Sequence, residues 1–138
     1  MSSEKDYSFG REYEKELLEK LRKKYDCVEL LDHYCPADII IKLPDHDIYI
    51  ESKRLRTPFD YYPKVRFKDS KYKFAMKHIM KGDKYWFNVC AIDRNGIIDI
   101  EKATFKGTME YEDRLTDGSK KVCLFHLIDY KYFKTFVI

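Results

Sequence analysis

The stretch from Asp38 to Lys53 restricts the fold of this chain more than any other. Residues 38–43 and 48–53 are rich in β-branched side chains, and Pro44-Asp45-His46-Asp47 lies between them. That is turn chemistry flanked by strand formers, so the two runs are expected to pair back as a hairpin. Successive side chains of a strand point to opposite faces. Ile48 and Ile50 therefore share one face, and Tyr49, Glu51 and Lys53 share the other.

Around this hairpin the remaining pattern is that of an α/β domain. Tyr13, Leu17, Leu21 and Tyr25 recur every four residues, with Leu18 beside them, which predicts an amphipathic helix over about 7–25. Short strands are expected at 27–31 and at 85–92, the latter near-continuously apolar and so central in the sheet. A polar turn is expected at 32–36, a loop at 57–63 and a lysine-rich helix at 68–81, stopped by Gly82. Asn95-Gly96 signals a turn into a strand at 97–100, and Thr116-Asp117-Gly118-Ser119 separates strands at 108–114 and 121–127. Asp129 is expected to cap a last helix over 130–136. One sheet between helices follows from this order, with 1–138 as a single domain.

The helical projection singles out one acid. At about 100° per residue from Tyr13, Glu14 falls between Leu21 and Tyr25, inside the apolar stripe, whereas Glu12, Glu16 and Glu19 project to the opposite side. A carboxylate aimed at a core costs several kcal/mol unless a partner or a metal satisfies it. The plain alternative is a helix-edge Glu paired with a lysine.

Charge is distributed unevenly. The net charge is only +3, too small to imply a polyanionic partner by itself. Between Lys53 and Lys84, however, eleven basic residues face only Asp60, Asp69 and Asp83, so the rest of the chain is net acidic. Such a run is either a solvated helix face or a track for phosphates. Arg54, Arg56, Lys64, Arg66, Lys68, Lys71 and Lys73 are the candidate nucleic-acid contacts. Phe59, Tyr61 and Tyr62 could stack on bases or pack on the domain.

Other chemistries find less support. No window approaches the roughly 18 to 20 apolar residues of a membrane helix, and residues 1–10 are polar rather than signal-like, so a cytoplasmic location is expected in whatever cell makes the protein, whether the gene is cellular or viral. Cys27, Cys35, Cys90 and Cys123 sit in apolar surroundings and are expected as reduced, buried thiols. Cys27, His33, Cys35 and His46 lack the close spacing of structural zinc sites. The histidines have no paired nucleophile, and no glycine-rich phosphate loop is present.

What remains is the hairpin edge. Asp38 opens one strand and Glu51-Ser52-Lys53 closes its partner, so two acids and a lysine converge. Adjacent carboxylates repel unless a cation lies between them, and oxygen ligands suit Mg²⁺ or Mn²⁺, with the Ser52 carbonyl as a third donor. Such a metal polarises a phosphate and acidifies a bound water, while Lys53 orients that water or neutralises phosphate charge. The expected chemistry is phosphodiester hydrolysis.

These residues resemble the PD-(D/E)xK nuclease superfamily, which includes restriction endonucleases and archaeal Holliday junction resolvases. The motif reads Cys35-Pro36-Ala37-Asp38, with Glu51-Ser52-Lys53 thirteen positions later. Ala37 intervenes where members often have a Pro-Asp pair. Upstream, Gly10-Arg11-Glu12-Tyr13-Glu14 followed by Leu17, Leu18 and Leu21 looks like the resolvase first helix, and Glu14 matches the Glu that reaches the metal there. The resemblance covers about 10–92, and no motif is assignable in the last 46 residues. It implies a restriction endonuclease-like core, a mixed central sheet flanked by helices, with Asp38, Glu51, Lys53 and Glu14 catalytic. It also implies a Gln or Lys at the start of the following helix, where Ser70 and Lys71 fall, with Lys71 preferred. A Mg²⁺-dependent DNA endonuclease of recombination, repair or phage genome processing is the expected function, acting on branched or junction DNA as a homodimer. The alternatives are a nuclease fold that binds nucleic acid or protein without cutting, and an exonuclease or restriction-complex subunit.

Overall fold

A computed structural model describes residues 2–137. The chain runs α1 (Ser2–Arg22), β1 (Val28–Leu30), β2 (Ile39–Lys42), β3 (Asp47–Arg54), β4 (Lys64–Lys68), α2 (Asp69–Met80), β5 (Lys84–Cys90), β6 (Asn95–Asp99), β7 (Phe105–Arg114), β8 (Lys120–Asp129) and β9 (Lys134–Thr135). A six-stranded sheet has the order β1-β2-β3-β5-β6-β9. β3 and β5 are parallel and the other neighbours antiparallel, so the sheet is mixed. A parallel pair needs a long crossover, and β4 and α2 supply it.

The hairpin forms in the register its alternation dictates, with Ile39 opposite Ile50 and Ile41 opposite Ile48. These four isoleucines pack with Tyr13, Leu17, Leu18 and Leu21 of α1 into one core. Each such side chain contributes about 1.5–3 kcal/mol on burial. The opposite face of the sheet carries a second core, in which Phe67, Tyr85, Phe87 and Ile128 are buried beneath α2 and the later strands. Among the described residues no helix is long and apolar enough to cross a membrane.

Several expectations need correction. The sheet is not alone: β4, β8 and β7 form a second, three-stranded sheet. Residues 64–67 carry no expected element and Lys68 is expected to open the helix, yet Val65 and Phe67 are buried and alternate with three cations, a half-buried strand pattern. Asn95-Gly96 is not the turn; both residues belong to β6, and the reversal falls one step earlier, closed by Ala91 N–H donating to Arg94 O at 2.9 Å. Gly96 is needed for close approach, since a Cβ there would lie 2.7 Å from the Phe59 ring. Asp129 does cap a turn, accepting from Lys131 N–H at 3.2 Å, but the turn is one 3-10 turn, Tyr130–Tyr132, and β9 then pairs with β6. All four cysteines are free thiols, but none is buried: Cys27 is exposed and Cys35, Cys90 and Cys123 are half-buried.

Candidate active site

Asp38 is fixed before β2 by its backbone. Its N–H donates to Ile50 O at 2.9 Å and its carbonyl accepts from Leu31 N–H at 2.8 Å. Its carboxylate reaches past the end of β2, where Oδ2 accepts from Ser52 N–H at 2.8 Å and Ser52 Oγ–H at 3.2 Å. A strand residue turns its N–H and C=O to the same side, so the Ser52 carbonyl also faces the edge that Asp38 occupies.

Glu51 stands on the other face of β3 from Ile50 and is only 6% exposed. Lys71, on the first turn of α2, makes a short ion pair to Glu51 Oε1. Burial, then the negative charge of Asp38, pushes the Glu51 carboxyl up to about 8, against the opposing pull of Lys71. Lys53 keeps solvent contact at the rim of the cleft. Desolvation, then the cations Arg66 and Lys71, lowers its ammonium pKa, while Glu51 pulls it upward.

Glu14 arrives from α1. Its side chain is 16% exposed and accepts from Arg11 at 3.0 Å. Burial, then the Asp38 charge, raises its pKa, and Arg11 opposes both. The helix is held in register by a buried polar cluster: Tyr13 O–H donates to Asn88 Oδ1 at 2.6 Å, Asn95 Nδ2 donates back to the Tyr13 oxygen at 3.0 Å, and Asn88 Nδ2 donates to Gly96 O at 3.0 Å. Asn88 is fully buried. This cluster sits one residue from Glu14 and fixes which face of α1 meets the sheet. It was not anticipated, although a lone Asn in the otherwise apolar run 85–92 was its signal.

Asp38, Glu51 and Glu14 thus form one mutually repelling group of carboxylates, with Lys53 and Lys71 beside it. Of these, Glu51, Lys53 and Lys71 line a cleft of about 250 Å³, whose walls also include Ser52, Arg66, Lys68 and Phe125. Phe125 and Phe87 are cleft residues that sequence reasoning missed, because the strands bearing them carry no motif.

The seven cations expected as nucleic-acid contacts do not stay together. Arg66, Lys68 and Lys71 line the cleft, and Lys64 follows on the same face of β4. Arg54 and Arg56 instead lie over the Phe9 ring, 4.0 and 3.9 Å from its centroid, and Arg54 also donates to Phe9 O. Lys73 pairs with Asp69 at 3.1 Å along α2. Of the loop aromatics, Phe59 is buried against Phe133, whereas Tyr61 and Tyr62 are exposed.

No protein-family model matches this sequence, and no curated protein sequence does either. Among solved structures, the chain is similar to the Holliday junction resolvase Hjc of the archaeal hyperthermophile Archaeoglobus fulgidus, with a TM-score of 0.56 over 88% of each chain and 12% sequence identity. The fold is restriction endonuclease-like. At that identity the likeness is one of fold, and the chemistry has to be argued from this chain's own residues.

Among the described residues, no three His, Cys, Asp or Glu side chains converge closely enough to cage a metal by themselves; the set Cys27, His33, Cys35 and His46 is no exception. Mg²⁺ does not need such a cage, since it is commonly held by one or two carboxylates with waters and substrate oxygens. Ser52 uses Asp38 Oδ2 and Lys71 uses Glu51 Oε1, which leaves the second oxygen of each carboxylate for a cation, beside the Ser52 carbonyl. Hard oxygen donors of this kind fit Mg²⁺ or Mn²⁺.

Proposed function

We propose that this chain is a Mg²⁺- or Mn²⁺-dependent DNA endonuclease that hydrolyses phosphodiester bonds, with branched or junction DNA as its substrate. The observation that carries the reading is the convergence of Asp38, Glu51 and Glu14 with Lys53 at one end of β3, on a nuclease fold. Asp38, Glu51 and the Ser52 carbonyl would hold the metal. Bound there, it supplies Lewis acidity and a more acidic water. Lys53, already depressed in pKa, donates hydrogen bonds to a phosphate oxygen or to the attacking water and neutralises charge that builds up on the phosphate. Glu14 adds negative charge beside Asp38 and accepts hydrogen bonds from water, without being a ligand itself. Arg66 and Lys68 hold the flanking phosphates in the cleft.

One chain has one such site, so cutting both strands is most simply done by a two-fold dimer. An apolar groove of about 440 Å³ on the α1 side of the sheet, lined by Tyr25, Trp86, Tyr132, Phe136 and Val137, is the candidate dimer face. Four residues of the C-terminal segment 130–138, Tyr132, Lys134, Phe136 and Val137, line it; Ile138 lies outside the described residues.

One observation favours a second reading. The Lys71 ammonium already neutralises Glu51, as it would in a binding module that had exchanged its metal for a lysine. Cleavage of linear, nicked, flapped and four-way DNA in Mg²⁺, Mn²⁺ and EDTA tests both. Metal-dependent cutting supports the nuclease, and binding without cutting in every metal supports the module.

A further inference from the structure

The three-stranded sheet has two unlike faces. On β4, Val65 and Phe67 point inward, so Lys64, Arg66 and Lys68 point outward. The register places Leu127 beside Arg66, Phe125 beside Lys68, and Met109 and Tyr111 next along β7. This outer face is aromatic and basic. The opposite face, where the hairpin of β7 and β8 leaves the core, carries Glu110 and Glu112, the latter bridged to Lys120 at 3.4 Å. The hairpin also stands clear of the domain, with Tyr111 48%, Leu115 42% and Val122 60% exposed.

We propose that this outer face binds unpaired nucleotides of the strand being cut, an inference that rests on the nuclease reading above. Tyr111 and Phe125 stack the bases, and Arg66 with Lys68 holds the phosphates. Continuity with the cleft is the first argument: Arg66, Lys68 and Phe125 are themselves cleft walls, opposite Glu51 and Lys53. A strand seated at Glu51 leaves along this sheet. The second is charge complementarity, since three cations project from the face beside the rings. The third is the arrangement of Arg66, whose guanidinium lies 5.9 Å from the Tyr111 ring centroid and 5.8 Å from that of Phe125. It is held between two rings, so bases that stack on them find a phosphate partner already in place. Diagonal neighbours on adjacent strands are about 7–8 Å apart, which separates the two rings enough to take one base each. Paired bases in a duplex already stack on one another and offer no free face, whereas unpaired ones do. Phosphate contacts alone do not make that distinction.

The test uses the full chain bearing Glu51→Gln in EDTA, so that nothing is cut, and fluorescence anisotropy with two probes: a blunt duplex, and the same duplex extended by about ten unpaired nucleotides. The expected result is a preference for the tailed probe that falls about tenfold in Tyr111→Ala and in Phe125→Ala, because each removes one stacked base. Tyr111→Phe should keep the preference, since stacking needs the ring and not the hydroxyl. Arg66→Ala should weaken both probes. A preference unchanged in Tyr111→Ala and Phe125→Ala, or affinities for both probes that fall together, would overturn the platform while leaving the nuclease reading intact. A protein that is dimeric as Tyr111 and monomeric as Tyr111→Ala would assign the face to a second copy of the chain and overturn the proposal. A parent chain that binds neither probe would overturn the platform and the nuclease reading together, and so is distinguishable from the first failure.

Discussion

Ile50 and Glu51 are consecutive residues of β3, and both are buried, at 0% and 6% exposure. Alternation sends them to opposite faces, where burial has opposite signs. Ile50 meets Leu17 and Leu21 of α1 in an apolar cluster, and removing it from water stabilises the fold by about 1.5–3 kcal/mol. Glu51 meets Asp38, Glu14 and Lys71, and its burial is unfavourable enough to push its carboxyl up to about 8. A strand built only for stability would carry a second apolar residue at 51. One face holds the scaffold together and the other is held in place by it, which is the arrangement that a preorganised charged site requires.

The sharpest way to break the comparison is to substitute each side in turn. Glu51→Gln should lower metal-dependent cleavage by about 10²–10³-fold, the scale seen when one preorganised electrostatic group is lost, with the fold unchanged. Lys53→Ala should be nearly as damaging to cleavage, while Mg²⁺ binding by calorimetry survives, because lysine is not a ligand. Ile50→Ala should do the reverse, destabilising the protein by about 2–5 kcal/mol and sparing cleavage well below its melting temperature. Normal cutting by Glu51→Gln and Lys53→Ala, or cutting in EDTA, would remove the site from this face.

The pH dependence of stability separates the faces next. Glu51 has its ordinary pKa of 4.5 when unfolded and about 8 when folded without metal. The folded state therefore binds the proton more tightly, and stability falls as pH rises from 4.5 through 8. In Glu51→Gln that loss is absent, so the apo variant should be the more stable protein above pH 8, by on the order of a few kcal/mol, with the gap closing toward pH 4.5. Lys71 stays partly exposed and tolerates the loss of its partner. Ile50→Ala should run parallel to the parent at every pH. Denaturant titrations across this range check both, and parallel curves for Glu51→Gln would mean that its burial imposes no penalty.

The same contrast explains what the sequence could disclose. Glu14, Asp38, Glu51 and Lys53 were legible because local pattern fixes them: a helical projection for the first, the start of the hairpin's first strand for the second, and a two-residue strand period for the others. Lys71 was legible only through the resemblance, and its contact with Glu51 depends on where β4 delivers α2. β4 itself was hidden, since Lys64-Val65-Arg66-Phe67-Lys68 reads first as charge and its partner, β8, lies some sixty residues downstream. β9 was hidden for a similar reason. Its two residues follow a capped turn that looks like a helix start, and only their pairing with Gly96 and Ile97 makes them a strand.

Glu14 offers a smaller effect. Glu14→Gln should lower cleavage about tenfold, while Glu12→Gln and Glu16→Gln stay within about twofold of the parent. The three acids share one helix and differ in what they face: Glu12 is 73% exposed, 3.4 Å from Arg54, Glu16 is exposed, and only Glu14 reaches the Asp38 charge. Single-turnover rates at saturating Mg²⁺ make the comparison, and equal losses in all three would remove Glu14 from the site.

The smallest effect belongs to Asp38, which stands on both sides of the comparison because it anchors the backbone and also repels Glu51. Asp38→Asn keeps an oxygen that can accept from Ser52 N–H and Oγ–H, but as a neutral acceptor, so those bonds weaken by up to about half. The substitution also removes one source of the repulsion that raises Glu51. Without metal the two consequences oppose each other, and pH decides which is larger. Well below pH 8 Glu51 is protonated, little repulsion remains to relieve, and Asp38→Asn should melt lower than the parent. Above pH 8 Glu51 is charged, relief dominates, and the variant should melt higher, by no more than about 1 kcal/mol. Added Mg²⁺ should restore the parent's advantage at that pH, because the variant has lost a ligand charge. Melting curves at the two pH values, with and without Mg²⁺, decide the matter: an Asp38→Asn protein that is less stable in all four conditions would make Asp38 a strand anchor alone and leave Glu51 without its partner ligand.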